Sequence, residues 1–270
     1  MKKSYKAFSE EQILFLKKQK SRKNMILLTQ ISIFLIFLVF WELLSRFNFI
    51  DPFLTSSPTR IFKTLIYLYK SKQLFGNMFT TFLETFLSFI ISITFSFFSA
   101  AFLWWFDIFE KISRPYISIL NALPKIALGP IIIIWLGANV KSIIIIAILV
   151  SCVVSILSLI SGFKNIDKNK ILFMKTLRAN KFQIFKKIIL PMNINNIIVN
   201  LKINIGMSLI GVVSAEFLIS KKGIGYFIIY GFQTFKLDLV IFGLILLIAI
   251  VLILYLIVSK VENFFKEYRQ

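Results

Sequence analysis

Three carboxylates, Glu42, Glu84 and Glu216, stand in or beside long apolar runs, and Lys125 stands in an apolar segment interrupted by Pro124, Gly129 and Pro130. Acid–base or metal chemistry needs such groups to converge, and these acids are scattered with no visible constellation. The 270 residues include one cysteine and no histidine, which removes a disulfide framework and the usual zinc spacings. Cys152 lies mid-run between Ser151 and Val153, where a small packed residue is expected rather than a reactive thiol. No Gly-rich loop ends in Lys-Ser or Lys-Thr, so the chain carries no cradle for nucleotide phosphates. An enzyme is not expected, nor a cofactor held by this chain.

The elements that would position these residues are membrane helices. Hydrophobic residues make up 58% of the chain, above the roughly 45 to 50% of soluble domains. A spanning helix needs about 20 mostly apolar residues, so the length holds several spans and no large aqueous domain. Lysine and arginine number 32 against 12 acids, an excess that in a soluble protein would suggest nucleic acid. The basic residues gather instead at Lys2, Lys3, Lys6, Lys17, Lys18, Lys20, Arg22 and Lys23, and again between Lys164 and Lys187, beside long apolar segments. Such clusters mark cytoplasmic loops and favour membrane lipid, not nucleic acid, as the basic partner.

Six spans are expected, near 25–44, 82–106, 116–136, 142–161, 197–219 and 239–258. The first reads as a retained anchor, because its apolar part is long and no small-residue cleavage site follows. Glu42 then falls at the outer boundary. The prolines of Asp51 to Pro58 predict a turn or extended segment, and Thr59 to Phe75 an amphipathic helix on the outer surface. Asp107, Glu110, Lys111 and Arg114 predict a short polar cytoplasmic turn. The third span, broken by its prolines, must face protein or water at the break. Lys125 there is functional by default unless it snorkels to a nearby helix end. Gly206, Ser208, Gly211, Ser214 and Ala215 predict a close-packing face on the fifth span, with Lys202 and Glu216 near its interfaces. Basic residues favour both termini on the cytoplasmic side. The organisation is a basic cytoplasmic segment 1–24, a transmembrane domain 25–259 with a cytoplasmic loop at 162–191, and a cytoplasmic tail 260–270.

The loop is patterned. Phe173, Leu177, Phe182, Phe185 and Ile188 alternate with Lys175, Arg178, Lys181, Lys186 and Lys187, as in short amphipathic helices. Ile188, Leu190 and Pro191 fit the end of the pattern Glu-Ala-Ala, three residues, Gly, nine residues, Ile, one residue, Leu-Pro. Arg178 stands where that pattern has Gly, and Leu172-Phe-Met174 where it has Glu-Ala-Ala. With Pro52-Phe-Leu, Ala122-Leu-Pro124, Ala127-Leu-Gly-Pro130, Trp135-Leu-Gly137, Ile210 to Leu218 and Gly223-Ile-Gly-Tyr226, the chain from about Trp41 to Val240 resembles permease subunits of binding-protein-dependent ABC importers of the sulfonate, taurine and nitrate type.

The resemblance implies an all-α integral membrane fold of the type I importer permease kind, in the bacterial cytoplasmic membrane. It implies that Thr176, Leu177, Arg178, Ala179, Asn180, Lys181, Phe182 and Gln183 form a coupling helix docked on a separate ATPase, with Ala179 and Phe182 on the docking face. Arg178 in place of Gly implies a different turn or an ordinary helical conformation there. Expected partners are two ABC ATPase subunits, which bind ATP and Mg, an extracytoplasmic substrate-binding protein that contacts Ser56 to Phe75 and Lys221 to Lys236, and a second copy of the permease. Asn121, Pro124, Lys125, Gly129, Ser208 and Glu216 are candidates for the translocation pathway. The cargo expected is a small anion such as a sulfonate, taurine or nitrate, with a thiamine pyrimidine precursor or riboflavin as the alternative. Six spans alone would also suit a channel or a structural subunit; the loop is what distinguishes the importer reading.

Overall fold

The computed structural model describes residues 10–219 and 221–267, all helix, turn and connecting segment with no strand among them. Lys2, Lys3 and Lys6 of the basic segment and Arg269 of the tail lie outside the described residues. The chain divides into two compact units, residues 1–63 and 64–270.

In the first unit, α1 (Glu10–Arg46) contains the apolar stretch Lys17–Arg46. The segment expected to be a turn or extended instead forms a short helix, α2 (Pro52–Thr55), because Asp51 accepts from the Phe53 N–H and Pro52 occupies the first turn, where its missing N–H costs nothing. Glu42 accepts from the N–H and hydroxyl of Thr59 at 3.1 and 2.9 Å, and so caps the start of α3 (Pro58–Lys70).

In the second unit, α4 (Gln73–Trp105), α7 (Val140–Lys164) and α10 (Leu190–Ile219) pack on one another. Also in this unit, α11 (Ile224–Gln233) and α12 (Leu237–Glu267) pack together and against α10. The polar stretch 107–114 is not a turn. After the single extended residue Phe106 it opens α5 (Asp107–Ala122), with acids in the first turn where the helix dipole favours them. Pro124 forces Leu123 into an extended conformation and ends the helix. A 3₁₀ turn (Lys125–Leu128) and α6 (Gly129–Leu136) follow, bent from α5 by 88°. Among the described residues five helices are long and apolar enough to cross a membrane, and six if the bent pair is one span.

α7 starts at Asn139, whose side chain accepts from the N–H groups of Lys141 and Ser142. The fifth span begins well before residue 197. Helix runs continuously over Lys181–Ile219 through α9 (Lys181–Ile184) and a π segment (Phe185–Ile189). There the Leu190 N–H reaches the Phe185 carbonyl, and this wider turn is one way a helix accommodates the donor that Pro191 lacks. The expected close-packing face is present at Gly211, where a Cβ would fall 2.5 Å from the Ala147 Cα, but not at Gly206, which has open space beside it.

Two apolar clusters hold the bundle. Ile132, Ile143, Ile146, Ala147, Val212 and Ala215 form one, among α6, α7 and α10. Leu103, Cys152, Leu159, Phe163, Ile184 and Ile189 belong to the other, at the ends of α4, α7 and α9. Cys152 is buried there, as a packed residue.

Candidate functional site

The loop after α7 folds as an elbow of two helices rather than one. Asp167 accepts from the Asn169 N–H at 2.9 Å and starts α8 (Lys168–Thr176). At its end the Ala179 N–H bonds back to the Met174 carbonyl at 3.0 Å, and the Arg178 N–H to the Lys175 carbonyl at 2.9 Å. This paired pattern places the residue at 178 in the left-handed region, normally the work of glycine. Arg178 adopts it, with φ of 56°. The substitution therefore keeps the turn and does not replace it with ordinary helix, at a steric cost of about 1 kcal/mol or more. Met174 and Ala179 then pack together against the apolar cluster of α4, α7 and α9.

Asn180 opens α9 with a reciprocal cap. Its side chain accepts from the Gln183 N–H at 2.8 Å, and the Gln183 side chain accepts from the Asn180 N–H at 2.9 Å. Lys181 donates to the Trp105 carbonyl and lies over the rings of Trp104 and Trp105. Trp104 in turn meets Phe185 at 4.9 Å between centroids. Thr176 donates to the Phe173 carbonyl within its own helix. The elbow is thus bolted to the end of α4 on one side. On its other side Leu172, Phe173, Leu177 and Phe182 are each about 60% exposed. Of the eight expected docking residues, Leu177 and Phe182 are exposed apolar groups, Ala179 faces inward, and Asn180 and Gln183 shape the turn. Leu172 and Phe173 precede the expected stretch. Beside the elbow, buried Glu110 accepts from Lys164 at 2.6 Å, fastening the start of α5 to the end of α7.

At the opposite end of α10 a second turn is held quite differently. Gly223, with φ of 105°, leads into α11, whose first N–H groups have no partner within the helix. Three successive ones are taken by neighbours: Gly223 donates to Asn77 at 2.6 Å, Ile224 to Thr81 at 2.8 Å, and Gly225 to Glu216 at 2.5 Å. Thr81 also donates to Glu216 at 2.6 Å. Glu216, three residues before the end of α10, is fully buried. A Cβ at Gly225 would fall 2.6 Å from its Oε2, so the two glycines leave the room that the carboxylate fills.

From this clasp a buried polar seam runs along α4. Thr81, Glu84, Thr85, Ser88, Ser92 and Ser96 share its inner face. Asn204 of α10 donates to Ser92 at 3.0 Å and to Ser155 at 2.6 Å, Ser208 donates to Asn204 at 3.2 Å, and Ser151 donates to Ser92 at 2.8 Å. Of the six pathway candidates, Gly129, Ser208 and Glu216 are buried within this packing. Asn121, Pro124 and Lys125 stand together at the bend, where Lys125 donates to the Asn121 carbonyl at 3.1 Å. Asn77, Thr81, Glu84 and Asn204 were not among the expected site residues. Their signal was the recurrence of polar side chains every three or four residues within an apolar run.

A bent span, a capped elbow and a polar seam between long helices make a multi-span membrane protein, with no catalytic constellation among the described residues. The chain belongs to the family of binding-protein-dependent transport system inner membrane components, whose model matches residues 92–266. It is similar to the formylaminopyrimidine transport permease protein ThiX of Halalkalibacterium halodurans, 25% identical over 72% of this chain and 77% of the relative. It is also similar to a Bacillus subtilis protein named as an aliphatic sulfonates transport permease, SsuC, 22% identical over 78% and 76%. In fold it matches a chain of the MetNI methionine ABC transporter in an inward-facing conformation, with a TM-score of 0.60 over 70% of this chain and 94% of the other, at 15% identity. The fold is therefore that of the type I importer permeases.

Proposed function

We propose that this chain is the translocating subunit of an ABC importer of the bacterial cytoplasmic membrane, driven through the elbow at 167–183 by a separate ATPase that binds the ATP and Mg. The observation that carries this reading is the elbow itself: a rigid, locally capped turn that leaves Leu172, Phe173, Leu177 and Phe182 exposed. Exposed large side chains around a fixed backbone are what a docking groove can hold without a cost in ordering. Two such chains, two ATPases and an extracytoplasmic binding protein make the working assembly. ATP acts by binding one arrangement of the assembly better than the other.

Cargo is a small solute. A sulfonate-, taurine- or nitrate-like anion suits Lys125 at the bent span and the resemblance to SsuC. A pyrimidine precursor is the second reading, favoured by the comparable match to ThiX, and riboflavin completes the set to assay.

Affinity purification of the intact chain from native membranes in mild detergent tests the reading. A nucleotide-binding ATPase should accompany it, and the double variant Leu177→Asp, Phe173→Asp should lower that recovery about tenfold or more while the thermal unfolding midpoint holds. Recovery of the wild-type chain without any ATPase sinks the importer reading. Undiminished recovery with the double variant sinks the assignment of the elbow.

A further inference from the structure

The elbow carries more positive charge than its own fold uses. Lys168, Lys170, Lys175, Arg178, Lys186 and Lys187 are all exposed, and none of the six side chains is hydrogen-bonded or ion-paired to a described residue. The one acid of the stretch, Asp167, is engaged in capping α8. A seventh cation, Lys181, is turned back onto Trp104 and Trp105. Helical spacing sets Lys168 and Lys175 beside Leu172, and Lys170 beside Phe173, so the exposed apolar groups stand within a basic rim. An apolar centre with a polar rim is how protein interfaces are built, and a rim of one sign selects a partner of the other. Arg178 differs from the lysines. Its backbone is in the left-handed region, with φ of 56°, at a steric cost that glycine would not incur there. The hydrogen bonds of its turn run between backbone atoms, from the Arg178 N–H to the Lys175 carbonyl and from the Ala179 N–H to the Met174 carbonyl, so the turn takes no hydrogen bond from the Arg178 side chain. Strain kept where the fold draws no such benefit points to a use outside the fold. The guanidinium is a flat fork that fits a carboxylate with two hydrogen bonds, and a fixed turn presents it at one place. A layer of lipid headgroups has no need of a fork held in position, since lysines serve it as well.

We propose that Arg178 anchors the elbow to a carboxylate of the docked ATPase, and that the groove receiving the elbow is acidic at its margin, opposite the lysines. The proposal rests on the reading of the elbow as the ATPase dock, and adds the chemistry the groove must have and the residue that selects it. An ATPase with a neutral or basic margin is refused by the same cations that hold the right one.

The test is the complex recovered from native membranes in mild detergent, scored as ATPase per permease chain. Arg178→Gly should lower that ratio about tenfold, while the unfolding midpoint of the chain holds or rises, because glycine keeps the turn. Arg178→Lys retains the backbone demand and the charge but not the fork, and should fall between the two. Raising the salt from about 0.1 to about 1 M should lower the ratio more steeply for the wild type than for Arg178→Gly. An undiminished ratio for Arg178→Gly, with the Phe173→Asp, Leu177→Asp double variant still lowering it, overturns the proposal and leaves the dock in place. An undiminished ratio for both overturns the dock as well. A lowered midpoint in Arg178→Gly would place the side chain in the fold and also overturn the proposal. So would hydrogen exchange at 168–187 that slows in nanodiscs of anionic lipid without ATPase, but not in zwitterionic ones, and loses that slowing in Arg178→Gly, which would make lipid headgroups the partner.

Discussion

The two turns at the ends of α10 solve the same problem with opposite materials. The turn before α11 gives its N–H groups to side chains from α4 and α10, so its shape depends on where those helices stand. The elbow closes its own hydrogen bonds, through Asp167, the back-bonded turn at Arg178 and the Asn180–Gln183 pair. A turn held by its neighbours moves when they move. A turn held by itself keeps its form and transmits a push. Thr81 and Glu216, which hold the turn before α11, are buried, whereas Leu172, Phe173, Leu177 and Phe182 of the elbow are exposed.

Glu216→Ala tests the contrast most severely. It strips acceptors from the Gly225 N–H and the Thr81 hydroxyl in an enclosed site, and should cost about 3 kcal/mol, read as a lowered unfolding midpoint and as faster hydrogen exchange at 223–225. Gly211→Ala should follow at about 2 kcal/mol, from the Cβ driven against Ala147, by the same unfolding measurement. In the elbow, Asn180→Ala should cost about 1 kcal/mol, the value of a lost cap, with exchange accelerated at 180–183 and unchanged at 223–225. Equal exchange changes at both turns would remove the distinction between them. Arg178→Gly should act in the other direction, raising stability by about 0.5 kcal/mol once relief of the left-handed backbone is set against the extra freedom of glycine in the unfolded chain. A lowered midpoint would show that the Arg178 side chain contributes more than its backbone costs.

The membrane class, the spans and the elbow's position were legible because apolar run length and basic clusters follow directly from the bilayer. The family pattern also located residue 178, since the missing glycine marks where a left-handed residue belongs. The inward direction of Ala179 was not legible, because it follows from the back-bonded turn and not from the spacing of apolar residues. Nor was the helix at Asp107–Ala122, where charged residues read as a turn although Asp107 and Glu110 lie in the first turn of a helix and Glu110 pairs with Lys164. The partners of Glu216 were hidden for a related reason. Its partners Thr81 and Gly225 come from 135 residues before it and nine after it, and a scan along the chain sees a lone acid where three elements converge.

The π segment at Phe185–Ile189 sets a phase. It holds one residue more per turn than the regular helix on either side, so it fixes the angle at which the elbow's faces stand relative to those of α10. Deleting a single residue within it would restore the regular turn with the faces on either side still in line, whereas a deletion in the regular helix of α10 would swing everything before it by about 100° around the helix axis. A chain shortened in that regular helix would stay helical, with the side chains of α9 pointed in the wrong direction.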